Sequence, residues 1–192
     1  MQSCQDTTID AFNEYVNGLR VSKDVDARLT LTTFDSESLD VVRENVHVSD
    51  FPELSRRDYQ PRAMTPLFDA IWHAVRRADL QPKRDGETVS LVILTDGQEN
   101  ASKEFRVADV RKLLDERRAQ GWLILFIGAD LASFEDAVQM GQAASMNLSS
   151  SKGAMRNAMK ASAALQARYA KGDRGGYTAE ERTAAQNPDI NI

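Results

Sequence analysis

The run Leu91-Val92-Ile93-Leu94-Thr95-Asp96-Gly97-Gln98-Glu99-Asn100 sets a carboxylate just beyond a short apolar stretch. Such a stretch, with the β-branched Val92 and Ile93 at its centre, predicts a parallel strand buried on both faces. An acid followed by glycine at the carboxyl end of that strand stands where open α/β sheets bind their ligands. A second polar group with a defined setting is Thr65, whose hydroxyl lies directly before Pro66-Leu67. Threonine then proline is a strong helix start. Each residue also has a purely structural reading: Thr65 as a helix cap, Asp96-Gly97 as a turn. Asp130 ends a second apolar run, where a helix cap or a turn accounts for it. Glu99 and Asn100 fit either the rim of a site or a solvated loop.

Other chemistries find little support. His47 and His73 are the only histidines, and neither has a zinc-ligand spacing or a cysteine nearby. Cys4 is the single cysteine, with no recognisable base beside it. The glycines at 172–176 follow no strand and make no phosphate loop. The methionines at 155 and 159 share a stripe that suits a core better than a binding groove. A net charge of −5 disfavours nucleic acid and anionic membranes as partners. One cysteine excludes an internal disulfide framework and suits a reducing compartment. No run approaches the roughly 20 apolar residues of a membrane helix, and Met1-Gln-Ser-Cys opens no signal peptide. The expectation is a cytoplasmic protein.

The elements that must position Thr65 and Asp96 follow from periodicity. Asp6 or Thr7 starts a helix carrying Ile9, Phe12, Val16 and Leu19 on one face. Residues 27–34 and 39–48 alternate as two strands close enough for an antiparallel hairpin. Residues 49–64 form an irregular surface loop. The helix that begins at Thr65-Pro66 buries Leu67, Ile71, Ala74, Val75 and Ala78. A turn at 82–86 leads into the strand 88–95. The next helix starts at Ser102 or Lys103, with Phe105, Val107, Val110, Leu113 and Leu114 inward, and Gly121 caps it. Residues 122–127 make another continuous apolar strand. Ser133 to Asp136 has capping-box spacing for a short helix ending at Gly141. Residues 145–148 suit a last edge strand, and a helix spans 151–169. Residues 172–192 are too polar to order themselves. This is a doubly wound, Rossmann-like α/β order with a mostly parallel sheet and one antiparallel edge strand, as one domain over 1–170 and a disordered tail over 171–192.

The two stretches Leu91-Val-Ile-Leu-Thr-Asp-Gly-Gln-Glu-Asn100 and Met64-Thr-Pro-Leu-Phe-Asp-Ala-Ile71 together resemble a von Willebrand factor A domain of the bacterial intracellular kind. By element order the resemblance runs from Met1 to Met159. It implies a metal-ion-dependent adhesion site in which Thr65 and Asp96 match the second and third motifs. The first motif, D-x-S-x-S, is absent. The resemblance places it, with the first central strand, just upstream of Met1, through a start codon assigned too late or through a genuine truncation.

The implied cofactor is Mg²⁺ or Mn²⁺, a hard cation that takes about six oxygen ligands. Thr65 would supply a hydroxyl and Asp96 a carboxylate, with weak or no binding in the chain as written. The implied function is non-enzymatic: the cation bridges to an acidic side chain of a protein partner. Two rivals stand beside it, a Mg²⁺-dependent hydrolase or phosphatase using Asp96, and a metal-free scaffold. An edge left by a missing strand could also promote homodimerisation.

Overall fold

The computed structural model describes residues 2–22, 25–62, 64–95, 99–128, 145–147 and 151–190. Five α-helices and five strands lie within them: α1 (Gln2–Val21), β1 (Arg28–Phe34), β2 (Leu39–His47), α2 (Leu67–Asp79), β3 (Ser90–Thr95), α3 (Val107–Ala119), β4 (Leu123–Gly128), β5 (Ser145–Asn147), α4 (Lys152–Ala170) and α5 (Ala179–Gln186). The chain is mixed α/β. No described helix is long and apolar enough to cross a membrane.

The strands form two sheets. β1 and β2 make an antiparallel hairpin, and β3, β4 and β5 make a parallel sheet in that order. β4 is therefore the middle strand, and each of its residues from Leu123 to Gly128 is buried. Its side chains alternate between two cores, as a strand's period of two demands. Leu123, Leu125 and Ile127 meet α1 and α4, while Ile124 and Phe126 meet α2 and α3.

β3 follows the same alternation, with Val92 and Leu94 towards α1 and α4, and Leu91 and Ile93 towards the other layer. It is not, however, the doubly buried strand that its apolar run predicts. Only Ile93 is fully buried, because β3 has a strand neighbour on one edge alone among the described residues. The hairpin joins the same two layers without joining the sheet. Leu29, Leu31 and Val46 pack into the α1/α4 core and Phe34 into the α2/α3 core. The single sheet expected from the sequence is thus two sheets among the described residues.

The loop after the hairpin is less superficial than its polarity suggests. A 3₁₀ turn at Val48–Asp50 begins it, and Val48, Phe51 and Leu54 are buried. α1 holds it by mimicking a strand partner: Asn13 Nδ2 donates to Leu54 O at 3.1 Å and Leu54 N donates to Asn13 Oδ1 at 2.8 Å. Arg20 donates to Val48 O (2.8 Å) and to Phe51 O. These bonds satisfy backbone groups that no ladder reaches.

The C-terminal segment differs most from expectation. Residues 171–190 are not a disordered tail: they turn at Gly172 and return as α5 against α4 and β5. Thr178 and Glu181 form a capping box at its start. Ala184 and Ala185 are fully buried, the Tyr177 and Ser162 hydroxyls lie 2.7 Å apart, and Arg168 pairs with Glu181 at 2.8 Å. Small side chains allow close approach, so a segment of low hydropathy orders itself against a pre-formed helix. Asp130 and the short helix expected over 133–141 lie outside the described residues.

Candidate functional site

α2 starts at Leu67 with Pro66 as its cap residue, and proline has no side-chain group to offer there. Its first amides still need acceptors. They find them on the loop that follows β3, a segment more than 30 residues away in sequence. Phe68 N donates to Glu99 Oε2 at 2.9 Å and to Ser102 Oγ at 3.0 Å, and Asp69 N donates to Ser102 Oγ at 3.2 Å. A carboxylate at this position also meets the positive end of the helix dipole. The expectation that Thr65 caps α2 is therefore corrected: among the described residues its side chain makes no capping bond, and the cap comes from Glu99 and Ser102.

The tie runs in both directions. Asp69, in the first turn of α2, accepts three successive loop amides: Lys103 N at 2.8 Å, Glu104 N at 3.1 Å and Phe105 N at 2.9 Å. With those amides committed, the chain stays irregular through Phe105. α3 starts at Val107, later than the Ser102 or Lys103 predicted for it, with Arg106 N donating to Asp109 Oδ2 at 2.9 Å. Below the tie, the Trp72 and Phe105 rings stack at 4.2 Å.

Thr65 is fastened to the same loop by its backbone. Thr65 N donates to Asn100 Oδ1 at 2.8 Å, and Asn100 N donates to Thr65 O at 3.2 Å. The residue is half-buried, and its hydroxyl has no hydrogen-bond partner among the described residues, which leaves that oxygen available. Asp96 lies outside the described residues, as do Gly97 and Gln98. The described chain stops at Thr95 on one side of Asp96 and resumes at Glu99 on the other, so Thr65 is bonded to a residue four positions beyond it.

Glu99 is neither an open rim ligand nor a solvated loop residue. Its Oε1 accepts from Ala101 N (2.9 Å) and Ser102 N (2.7 Å), and its Oε2 from Phe68 N (2.9 Å) and the Ser102 hydroxyl (2.6 Å). A carboxylate has about four lone-pair sites, and all of them are engaged. A cation would have to displace these donors.

The two histidines pair with carboxylates, and His73 does so with the loop that Asp69 holds. His47 on β2 faces Asp26 at 2.8 Å, and His73 on α2 faces Glu104 at 3.3 Å. No three His, Cys, Asp or Glu side chains gather as a metal cluster among the described residues. Sequence reasoning missed Asp69 and Ser102. An acid in the first turn of a helix is a legible signal for Asp69, but its partners across the loop are not. Comparisons with protein-family models, with curated proteins and with solved structures found no match for this chain.

Proposed function

We propose that the chain is a binding module: it uses an oxygen-lined rim, and not a catalytic centre, to engage a protein partner. Within that class, the reading is a doubly wound domain of the von Willebrand factor A kind. Thr65 and Asp96 act as oxygen ligands to Mg²⁺ or Mn²⁺, and the open coordination position takes an acidic side chain of the partner. The observation that carries this reading is the reciprocal tie between the Thr65 backbone and Asn100, through the Asn100 side-chain oxygen and its amide, which holds the threonine against the loop after β3. The arrangement of the strands lends further support. The hairpin and the parallel sheet pack against the same two helical layers, as the strands of one doubly wound domain do.

Two or three protein oxygens hold a hard cation weakly, because Mg²⁺ and Mn²⁺ depend on carboxylate charge and a near-octahedral set. Titrating the chain with Mn²⁺, followed by the loss of the free-ion EPR signal, should show weak binding that Thr65→Ala and Asp96→Ala each abolish. Equal Mn²⁺ uptake by the parent chain and both variants would defeat the proposal. So would turnover of a phosphate ester with Mg²⁺ that Asp96→Ala removes, since that result would make Asp96 part of an active site.

A further inference from the structure

We propose that Asp26, His47 and Ser49 form a reactive-serine site, an activity additional to binding at the Thr65 rim and independent of it. His47 is the general base, Ser49 the nucleophile, and an uncharged or cationic carboxylic ester the acyl donor. The two sites are separate. Arg84, on the turn that leads into β3, reaches Asp26 Oδ2 at 3.5 Å, whereas Thr65 is tied to the loop after β3.

The roles of the two ring nitrogens follow from their partners. A backbone N–H can only donate, and that of Ser49 donates to His47 Nδ1 at 3.2 Å. A protonated nitrogen could not accept it, so Nδ1 is bare and Nε2 carries the proton towards Asp26 Oδ1 at 2.8 Å. The Ser49 hydroxyl lies 2.7 Å from the same bare Nδ1, within reach for proton transfer. Nucleophile, base and orienting carboxylate thus stand in the order of a serine triad, with the two ring nitrogens exchanged. Val48 N donates to Ala27 O at 3.0 Å, which fixes the end of β2, and with it His47, beside Asp26. Capping of the 3₁₀ turn accounts for the bond from Ser49 N but not for the carboxylate behind the ring.

In the acyl transfer, Ser49 Oγ attacks the ester carbonyl carbon while its proton passes to Nδ1. The tetrahedral adduct then breaks its bond to the leaving oxygen, which takes the proton from Nδ1. Water repeats the sequence on the acyl-serine, releasing a carboxylic acid and restoring the hydroxyl. Asp26 stabilises the imidazolium that forms in between. Asp50 Oδ1 lies 3.0 Å from the Ser49 hydroxyl, so carboxylates flank the site on both sides and disfavour an anionic donor. Ser49 and Asp26 are exposed. That leaves the hydroxyl open to a donor from solvent and holds the gain to the lower end of general-base assistance, about a hundredfold.

The test treats the full chain with p-nitrophenyl acetate without metal, and reads acetylation by peptide mass mapping together with nitrophenolate release. Ser49 should be acetylated about a hundredfold faster than Ser36, an exposed serine between β1 and β2. Asp26→Asn keeps an acceptor for Nε2 without its charge and should slow Ser49 about tenfold; His47→Gln should bring it to the Ser36 rate. The Ser49 rate should level off with rising pH once the imidazole is neutral, while that of Ser36 continues to climb. If His47→Gln opens the 3₁₀ turn, Asp26→Asn and the pH profile decide the matter. Equal acetylation of Ser49 and Ser36 overturns the proposal, and so does an Asp26→Asn rate equal to that of the parent. Nitrophenolate release that persists unchanged in Ser49→Ala also overturns it, because the imidazole would then be acting as the nucleophile alone.

Discussion

Thr65 and Glu99 share a rim, but their contributions to stability differ. The Thr65 side chain makes no described hydrogen bond, so Thr65→Ala should change the free energy of unfolding by no more than about 0.5 kcal/mol. Glu99→Ala leaves the amides of Ala101 and Ser102 without their acceptor, and Phe68 N with Ser102 Oγ alone, and should cost about 1–3 kcal/mol. Urea denaturation of the two variants distinguishes them, and equal losses would contradict the assigned roles. The sequence led to Thr65 through Thr-Pro-Leu, but its capping role falls to Glu99 and Ser102, because local pattern cannot see an acceptor 31 residues away. A second carboxylate gives a pH-dependent case. Burial pushes the Asp35 carboxyl up, but the amides of Glu37 and Ser38 and the Arg62 guanidinium outweigh this and hold it below its ordinary range. A depressed carboxyl adds stability that is fully present above its unfolded value, about 3.9, and is lost as pH falls through the folded one. Asp35→Asn should therefore be less stable by about 1 kcal/mol at pH 7. The gap between parent and variant should narrow below pH 4, and a constant gap would rule out the charge as its cause.

At the scale of elements, the close seam of α1 against α4 depends on Gly18. A Cβ placed on Gly18 would lie 2.7 Å from Ala163 Cβ, so the two helices approach at their closest only because Gly18 has no side chain. Gly18→Ala gains up to about 1 kcal/mol of helix propensity but forces the helices apart, a cost of about 1–3 kcal/mol. The variant should lose stability, and Ala163→Gly in the same chain should return part of the loss as a measurable coupling. Recovery absent from the double variant would show that the strain lies elsewhere. Elements with strong period were legible: the hairpin, β4 and α4 fall close to their expected bounds. Gly121 ends α3 with φ +85, as its place after the last apolar residue predicts. What pattern did not convey was environment. Leu91 to Leu94 reads like Leu123 to Ile127, yet one run sits at a sheet edge and the other in its middle. Residues 171–190 were misread for the opposite reason: hydropathy counts a segment's own apolar area and not the complementary surface of α4.

For the whole molecule, the separation of the hairpin from the parallel sheet among the described residues is the feature with the widest consequences. Both half-sheets feed the same two cores, so the helical layers already span the division while the strands do not. Edge strands with unsatisfied backbone groups and apolar faces invite another strand. Amides of Leu91 to Leu94 should accordingly exchange at least about tenfold faster than those of Leu123 to Ile127, because an edge opens with less cooperative loss than a middle strand. The same edges should drive concentration-dependent dimerisation, measurable by light scattering. Ser90→Lys, which puts a charge at the exposed start of β3, should return the protein to a monomer. A dimer formed through some other surface would persist in this variant. Conversely, slow exchange in β3 of the parent chain would mean that its edge is already covered, and the division would then have no part in binding or assembly.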